Sequence, residues 1–378
     1  MEDQQETTPE DILATALQRA INNLKNPSRL PARVISYAQY VATNKRNGAG
    51  ARLLLSCCLA KASKPSLDIR KPYTEIPGDD AFSGRVWDET YIGPFASKHS
   101  LPLNATTAYL TPALRNHDSA LTPDRVIVGT PRDVYTRSLW LLNAVETGVI
   151  TAFDLLVEIL RNLILTRNSQ AARLKSLLDG LAENKGSLPL SSEAIVSLIK
   201  SHLDLKGTSR LPVLLVAAAY ISAEDKLGER VLALQAHNAA DKQTGALGDV
   251  EITLADDTNV VTTYEMKDKR VTEQDLVLAV EKLSKAATKV DNYIFITTEQ
   301  TPIQVIDYAK SLYEETGGTE FAILDCIGFV RHFLHLFHRI RIAFLDEYQN
   351  LILAQPHSAV RQSVKESFLA MREAQESN

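Results

Sequence analysis

Two carboxylates and one lysine are arranged in this chain in a pattern that suits metal-assisted hydrolysis. Asp249 enters one short apolar run, and Glu265 and Lys267 lie two positions apart in the next. Alternate residues of a strand project from the same face, so Glu265 and Lys267 share a face. Carboxylates hold a divalent metal against a phosphate, while a lysine orients the attacking water and stabilises developing negative charge. The pattern therefore predicts hydrolysis of a phosphodiester.

A turn is needed to bring these side chains together. Residues 248–252 and 264–269 each have the pattern of a short strand. Between them, residues 255–259 are polar and have the composition of a turn that joins hairpin strands. If the chain reverses there, Asp249 lies beside Glu265 and Lys267 at one end of a hairpin.

Two further acids are candidates to assist this site. Glu251 lies on the same strand face as Asp249 and is a candidate metal ligand. Glu229, which we expect on a preceding helix, is a candidate for an additional acid. The alternative is that all these charges belong to the exposed face of an ordinary hairpin.

Basic residues are dense around the second strand and the segment that follows it. Lys269 and Arg270 come directly after the predicted catalytic lysine and are candidate DNA phosphate contacts. Lys282, Lys285 and Lys289 recur at three- and four-residue spacing, which predicts a stripe on a helix over residues 272–290. For this stripe, a solvated helix face is the favoured interpretation.

Three histidines are spaced at three-residue intervals near the C-terminus. His332, His335 and His338 would lie close to one helix face, but no acidic or cysteine partner has ligand spacing. We therefore expect a polar helix face rather than a metal site. The chain also lacks the phosphate-binding GxxxxGK[ST] loop and the GxSxG nucleophile motif.

The composition is that of an ordinary globular protein. The chain has 378 residues, of which 45% are hydrophobic and 23% charged, and its net charge is −5. No run of apolar residues is long enough to span a membrane, and the N-terminus is acidic and polar, so we expect a cytoplasmic protein. The negative charge argues against a protein that coats DNA nonspecifically, although a contact surface can be basic locally.

Apolar periodicity predicts an α/β fold preceded by helices. We expect a mainly helical region over residues 1–205, for DNA binding or dimerisation, and a catalytic region over residues 206–378. The second region reads strand–strand–helix–strand–helix–strand, which predicts a mixed central sheet with flanking helices. We expect helices at residues 11–24, 32–42, 51–62, 191–205, 225–240, 272–290 and 302–315, and helical periodicity extends over residues 132–182. We also expect a buried apolar run at 211–222 and strands at 293–297 and 321–324.

Two known families have comparable motifs. Asp249 with Glu265-x-Lys267 resembles the PD-(D/E)xK nuclease pattern, except that Gly248 stands where that pattern has its proline. Residues 82–95 and 207–214 resemble segments of the SacI family of type II restriction endonucleases. The likeness extends patchily over about residues 80–300, and the predicted hairpin lies where that family's nuclease core is expected.

The resemblance implies a Mg²⁺-dependent enzyme that cuts both strands of duplex DNA at a short palindrome, normally as a homodimer. Asp249 and Glu265 would bind Mg²⁺, and Lys267 would assist the attacking water. Arg85 would be a candidate DNA contact, although a surface pair with Asp88 or Glu89 explains it equally well. A cognate DNA methyltransferase is expected in the same system. The alternatives are a less specific PD-(D/E)xK nuclease of repair or recombination and a non-catalytic DNA-binding protein.

Overall fold

The structure, a computed structural model, describes residues 8–26, 28–183, 188–234, 246–286 and 288–377. The chain divides into two compact units, Met1–Arg173 and Leu174–Asn378. The sequence interpretation placed the division between residues 205 and 206. In the structure, residues 174–205 belong to the second unit. The roles assigned to the two regions remain predictions. None of the described helices is both long enough and apolar enough to cross a membrane.

The first unit is helical, as the sequence predicted. Its helices are α1 Pro9–Asn22, α2 Ala32–Ala42, α3 Ala49–Ser63, α4 Gly84–Trp87, α5 Gly93–Lys98, α6 Arg132–Glu146 and α7 Ala152–Glu183, the last of which extends past Arg173. Helix α1 begins at a capping box between Thr8 and Asp11. Helix α3 is buried from Ala49 to Ala60, and its apolar residues surround its axis, which makes it the centre of this unit's core.

The second unit contains a five-stranded sheet with helices on both faces. The strands are β1 Glu229–Val231, β2 Val250–Leu254, β3 Val260–Lys267, β4 Asn292–Thr297 and β5 Glu320–Asp325. The helices are α8 Ser192–Leu203, α9 Leu211–Leu227, α10 Glu273–Leu283, α11 Ile303–Glu315, α12 Cys326–Leu336, α13 Arg341–Ala354 and α14 Gln362–Glu376. The predicted mixed α/β fold is confirmed.

The strands follow the order β1-β2-β3-β4-β5 across the sheet. Strands β1, β2 and β3 pair antiparallel, whereas β3, β4 and β5 pair parallel. Parallel neighbours need a crossover, which α10 supplies between β3 and β4 and α11 supplies between β4 and β5. The predicted order of strands and helices from the hairpin onwards is therefore confirmed.

Each face of the sheet packs against its own apolar cluster. Tyr264 and Ile296 belong to a cluster with residues of α9, α12 and α13. Tyr293, Phe295 and Phe321 belong to another cluster, with residues of α10 and α11. Side chains alternate along β3, so Tyr264 and Met266 face the first cluster while Glu265 and Lys267 face α10. Because successive side chains of β3 point to opposite faces of the sheet, the burial of Tyr264 directs Glu265 and Lys267 towards α10.

Two helix predictions were wrong in part. Helix α9 ends at Gly228, whose φ of 67° is left-handed, and Glu229–Val231 then form β1 instead of a polar helix. Residues 235–240 of that predicted helix lie outside the described residues. Helix α10 ends at Leu283, so the helical stripe predicted through Lys285 and Lys289 does not form.

Candidate active site

The β2–β3 hairpin places Asp249 level with Glu265. Val250 pairs with Tyr264 and Glu251 with Thr263 in antiparallel register. The Asp249 amide donates a hydrogen bond to the Tyr264 carbonyl at 2.8 Å. The Asp249 Oδ2 atom accepts a hydrogen bond from the Met266 amide, also at 2.8 Å. Asp249 is thereby held beside the backbone that carries Glu265 and Lys267, as the hairpin prediction required.

Lys267 is held between two carboxylates. Its Nζ lies 3.4 Å from Glu265 Oε1 and 3.0 Å from Asp275 Oδ1, an acid in the first turn of α10. Burial by itself would lower the pKa of Lys267, but Glu265 and Asp275 together raise it above its ordinary value. The lysine is therefore a fixed ammonium at neutral pH. Such a group donates hydrogen bonds and stabilises negative charge rather than acting as a base.

Glu265 has two polar neighbours besides Lys267, which are Lys282 and Tyr293. Its Oε2 accepts hydrogen bonds from Lys282 Nζ at 3.1 Å and from the Tyr293 hydroxyl at 3.2 Å. The side chain is only 17% exposed, so these partners stabilise its charge in a poorly solvated position. The interpretation of Lys282 as part of a solvated face was wrong, because it binds the candidate catalytic acid.

Arg210 and Glu251 lie near Asp249 and have different roles. Arg210, which precedes α9, is buried, and burial lowers its pKa while the negative charge of Asp249 partly offsets that effect. Glu251 Oε1 accepts a hydrogen bond from the Leu247 amide at 2.8 Å. Glu251 therefore holds the chain where it enters β2. Its predicted role as a metal ligand remains a prediction.

The carboxylates of the hairpin suit Mg²⁺ better than a soft metal. Among the described residues, no group of three or more His, Cys, Asp or Glu side chains is placed to hold a metal ion. Mg²⁺ needs fewer protein ligands, since it keeps several waters and takes one or two carboxylates together with a substrate phosphate. Asp249 and Glu265 would supply such a pair of oxygen ligands, so the chemistry of the donor set is compatible with Mg²⁺.

Gly248 is required by a close approach between the strands. A Cβ atom at this position would lie 2.6 Å from the Tyr264 carbonyl oxygen and 2.5 Å from Thr263 Oγ1. The Tyr264 carbonyl is already bonded to the Asp249 amide and cannot retreat without breaking the hairpin. A proline, which also has a Cβ atom, would meet the same two atoms at this position.

A cleft of about 590 Å³ opens in the second unit at the carboxyl ends of the parallel strands. Asp268, Thr297 and Asp325 line it from the ends of β3, β4 and β5, and the loop from Gly207 to Ser209 lines it from the other side. Ligands of open α/β sheets bind at the carboxyl ends of strands. Lys267 is the last residue of β3 and lies at this same end of the sheet, but its side chain faces α10 and does not line the cleft.

The remaining predicted residues are placed as follows in the second unit. Lys269 and Arg270 are exposed just after β3, with the Lys269 carbonyl bonded to Thr297 and the Arg270 amide bonded to Glu299. Both residues are exposed to solvent, and their contact with DNA remains a prediction. Glu229 pairs with Leu254 at the far end of β2, roughly 16 Å along the strand from Asp249. Its suggested role in the site is therefore not supported.

Arg85 and the three histidines were also singled out in the sequence. Arg85 lies in the first unit and the histidines lie in the second. Arg85, in α4 of the first unit, pairs with Glu89 at 2.9 Å, and both side chains are about half exposed. Its predicted DNA contact remains a prediction. In the second unit His335 pairs with Glu193 at 2.9 Å. His338 lies in a 3₁₀ turn after α12, so the three histidines do not share one helix.

Sequence reasoning did not name Asp275, Tyr293 or Arg210 as site residues, and it assigned Lys282 to a solvated helix face. Asp275, Lys282, Tyr293 and Arg210 reach Lys267, Glu265 and Asp249 from elements that are distant in sequence. One signal was present: Thr272 and Asp275 have the spacing of a capping box, which marks the start of α10. Nothing in the local sequence shows that the capping acid also binds the catalytic lysine.

A known protein family matches the part of the chain that contains the candidate site. Residues 189–299 match the family described as the SacI restriction endonuclease C-terminal domain, a span of less than a third of the chain. The match contains the hairpin and residues 207–214, whereas residues 82–95 lie outside it. No curated protein matches the chain significantly. Over this span the chain is similar to a restriction endonuclease domain, and the similarity supports a restriction endonuclease.

Proposed function

We propose that the protein is a type II restriction endonuclease that hydrolyses phosphodiester bonds of double-stranded DNA at a short palindromic site, with Mg²⁺ as cofactor and as a homodimer. One observation carries the proposal. Asp249, Glu265 and Lys267 converge at one end of the β2–β3 hairpin, inside the span that matches the SacI C-terminal domain. The spacing of these residues resembles the PD-(D/E)xK pattern, with Gly248 in place of its proline, and this resemblance supports the proposal.

Asp249 and Glu265 are the residues that would hold Mg²⁺ in this proposal. When bound, Mg²⁺ supplies positive charge that neutralises the phosphate and polarises a water. The Met266 amide fixes the Asp249 carboxylate, and Lys282 and Tyr293 fix that of Glu265. The two ligands are therefore oriented before the substrate arrives, which reduces the reorganisation that the reaction requires.

Lys267 acts in this proposal as a cation. Its raised pKa keeps it protonated, so it donates hydrogen bonds to the attacking water and to the phosphate oxygens as negative charge develops. Asp275 holds the ammonium at 3.0 Å and prevents it from pairing with Glu265 alone. Asp275 is thus a positioning residue for Lys267.

The direct test is digestion of unmethylated phage DNA with Mg²⁺, followed by sequencing of the ends. We expect discrete fragments that share one short palindrome at their ends. Asp249→Asn and Lys267→Ala are expected to abolish cleavage while keeping the wild-type circular dichroism spectrum. The control Glu229→Gln is expected to cleave normally, because Glu229 lies at the far end of the hairpin. Smeared products would favour a less specific nuclease, and uncut DNA under all metal conditions would contradict the proposal.

A second test measures Mg²⁺ binding without cleavage. A ligand that binds only the folded state raises the unfolding temperature as its concentration increases. We expect Mg²⁺ to raise the unfolding temperature of the wild-type protein and to have a smaller effect on Asp249→Asn. An equal response of the two proteins would show that Asp249 does not hold the ion.

A further inference from the structure

Arginines and aromatic rings alternate over one face of α2 and α6 in the first unit. The Arg33 guanidinium lies 4.4 Å from the centre of the Trp140 ring and 5.1 Å from that of Tyr37. The Arg137 guanidinium lies 5.1 Å from Tyr37 and 3.8 Å from Tyr40. Tyr37 and Trp140 meet edge to face at 5.2 Å. We call these five residues the arginine–aromatic ladder.

The spacing of the residues explains why they form a continuous face. Arg33, Tyr37 and Tyr40 stand at four- and three-residue intervals along α2, while Arg137 and Trp140 are three apart along α6. Val34, Ala38 and Val41 form the opposite, buried face of α2. The ladder rings are only partly buried, so the ladder lies at the surface above the core.

The two ladder arginines keep their hydrogen-bond donors available. An arginine that stacks on a ring uses the face of its guanidinium, and its five N–H donors point outward in the plane. Neither Arg33 nor Arg137 donates a hydrogen bond to another residue in the part of the chain that the structure describes. Arg137 forms an ion pair with Asp133 at 3.7 Å, which is beyond hydrogen-bond distance, and the Asp133 side chain is 66% exposed, so solvent screens the pair. Arg52, Arg70 and Arg161 of the same unit donate to protein acceptors instead.

The segment that contains α2 is rich in basic residues, although the chain as a whole is acidic. Residues 12–67 contain nine Lys and Arg but no Asp or Glu, in a protein whose net charge is −5. Three of the nine, Arg19, Arg52 and Lys61, pair with acids from outside this segment. Arg29, Lys45 and Arg46 flank α2 and are exposed. A local basic surface on an acidic protein fits a polyanion, because the summed field attracts phosphates and raises the rate of association.

We propose that the arginine–aromatic ladder binds the phosphate backbone of duplex DNA. The rings are occupied by guanidinium groups and by each other, so they hold the arginines and are not available to stack on the bases of a single strand. Pre-stacked arginines lose less conformational entropy when they bind a phosphate. The contact is independent of base sequence. The choice of DNA as the polyanion rests on the proposed function.

The test is DNA binding in EDTA, where cleavage does not occur. The affinity for a fluorescein-labelled duplex without a palindrome is measured by fluorescence anisotropy over a range of salt concentrations. For Arg33→Gln/Arg137→Gln we expect affinity to fall by about tenfold or more. The slope of log affinity against log salt should decrease by about 2, because two phosphate contacts are lost. Arg33→Lys/Arg137→Lys keeps both charges and should retain most of the slope.

The matched control is Arg331→Gln/Lys310→Gln, which removes two exposed charges outside the ladder and its basic segment that already pair with Glu193 and Asp307. We expect the control to keep the wild-type slope and affinity to within a few-fold. An unchanged slope in Arg33→Gln/Arg137→Gln, or an equal loss in the control, would overturn the proposal. So would competition by polyglutamate as strong as that by unlabelled duplex, which would indicate an acidic polypeptide. Failure of the proposed function has a different result. In that case the protein would not cleave DNA in Mg²⁺, but it would still bind DNA through the ladder.

Discussion

The ammonium of Lys267 lies 3.0 Å from the carboxylate of Asp275. Asp275 is also the capping acid of α10, and its Oδ2 accepts hydrogen bonds from the Thr272 amide at 2.9 Å and the Thr272 hydroxyl at 2.7 Å. The start of one helix therefore holds the last residue of the preceding strand. One side chain both begins α10 and orients the candidate catalytic lysine.

Asp275→Asn is expected to slow DNA cleavage by on the order of ten- to a hundredfold, because Lys267 loses its outer partner. Asp275 contributes to the raised pKa of Lys267, so its neutralisation lowers that pKa. The alkaline limb of the pH–rate profile should therefore move to lower pH. Initial cleavage rates measured over a pH series give both effects.

Thr272→Ala is the control for this prediction, since it removes the hydroxyl of the cap but leaves the charge of Asp275. We expect a modest loss of stability, about 1 kcal/mol, without a shift of the alkaline limb. An identical shift in both variants would mean that the helix cap, and not the charge of Asp275, controls Lys267.

Gly248→Ala is expected to disturb the hairpin and reduce cleavage strongly. The added Cβ atom would lie 2.6 Å from the Tyr264 carbonyl oxygen, so β2 must move away from β3 and carry Asp249 with it. A loss of about 1–3 kcal/mol in the free energy of unfolding follows from such overpacking. Urea denaturation and cleavage rates measure the two effects.

The double variant Gly248→Ala/Thr263→Ala separates the two contacts of the new Cβ atom. It removes the clash with Thr263 Oγ1 but leaves the clash with the Tyr264 backbone. We expect no rescue of cleavage. Full rescue would show that the Thr263 side chain, which can be replaced, sets the requirement for glycine.

Arg52→Met is expected to destabilise the first unit by about 3–5 kcal/mol, because it leaves Asp88 buried without its ion partner. Arg52 Nε lies 2.9 Å from Asp88 Oδ1, and the two side chains are 3% and 0% exposed. Burial raises the pKa of Asp88 even with Arg52 present. Chemical denaturation measures the change in the free energy of unfolding.

Two comparisons make the Arg52 prediction specific. Arg52→Met/Asp88→Asn should be less unstable than Arg52→Met alone, since the buried charge is removed as well. Arg85→Met, which breaks the exposed pair with Glu89, should change stability by less than about 1 kcal/mol. Equal effects of Arg52→Met and Arg85→Met would contradict the argument.

Stability of the second unit is expected to fall as the pH decreases from about 6.5 to about 4. His202 is fully buried, where Nδ1 meets the Tyr348 hydroxyl at 3.0 Å and Nε2 meets the Val364 carbonyl at 3.2 Å. Burial lowers its pKa to about 4, so the unfolded chain binds a proton in this range and the folded protein does not. The full effect is about 3 kcal/mol below pH 4.

Urea denaturation over this pH range tests the role of His202. His202→Gln should flatten this part of the stability curve, even though the variant is less stable at neutral pH. The exposed His332→Gln should leave the curve unchanged. A curve of the same shape in wild type and His202→Gln would assign the pH dependence to other groups.

The spacing of apolar residues predicted the helices in which that spacing repeats over several turns. Helix α2 was predicted with the observed bounds, and α1 and α3 to within a few residues, because apolar residues repeat with helical spacing over several turns. The strand β1 was missed because it has only three residues, all partly buried, so it shows no alternation of buried and exposed side chains after the helix ends at Gly228. Helix α10 was predicted too long, since the lysine spacing continued past its actual end at Leu283.

By itself, the sequence determined which residue types are available and how the hairpin presents them. Alternation along β3 decided that Glu265 and Lys267 share a face, and the turn before β3 decided that Asp249 meets them. Only the tertiary structure decided what surrounds them. Asp275, Lys282 and Tyr293 arrive through a parallel crossover, and Arg210 arrives from the start of α9. Such contacts depend on how helices pack on the sheet, which no local spacing records.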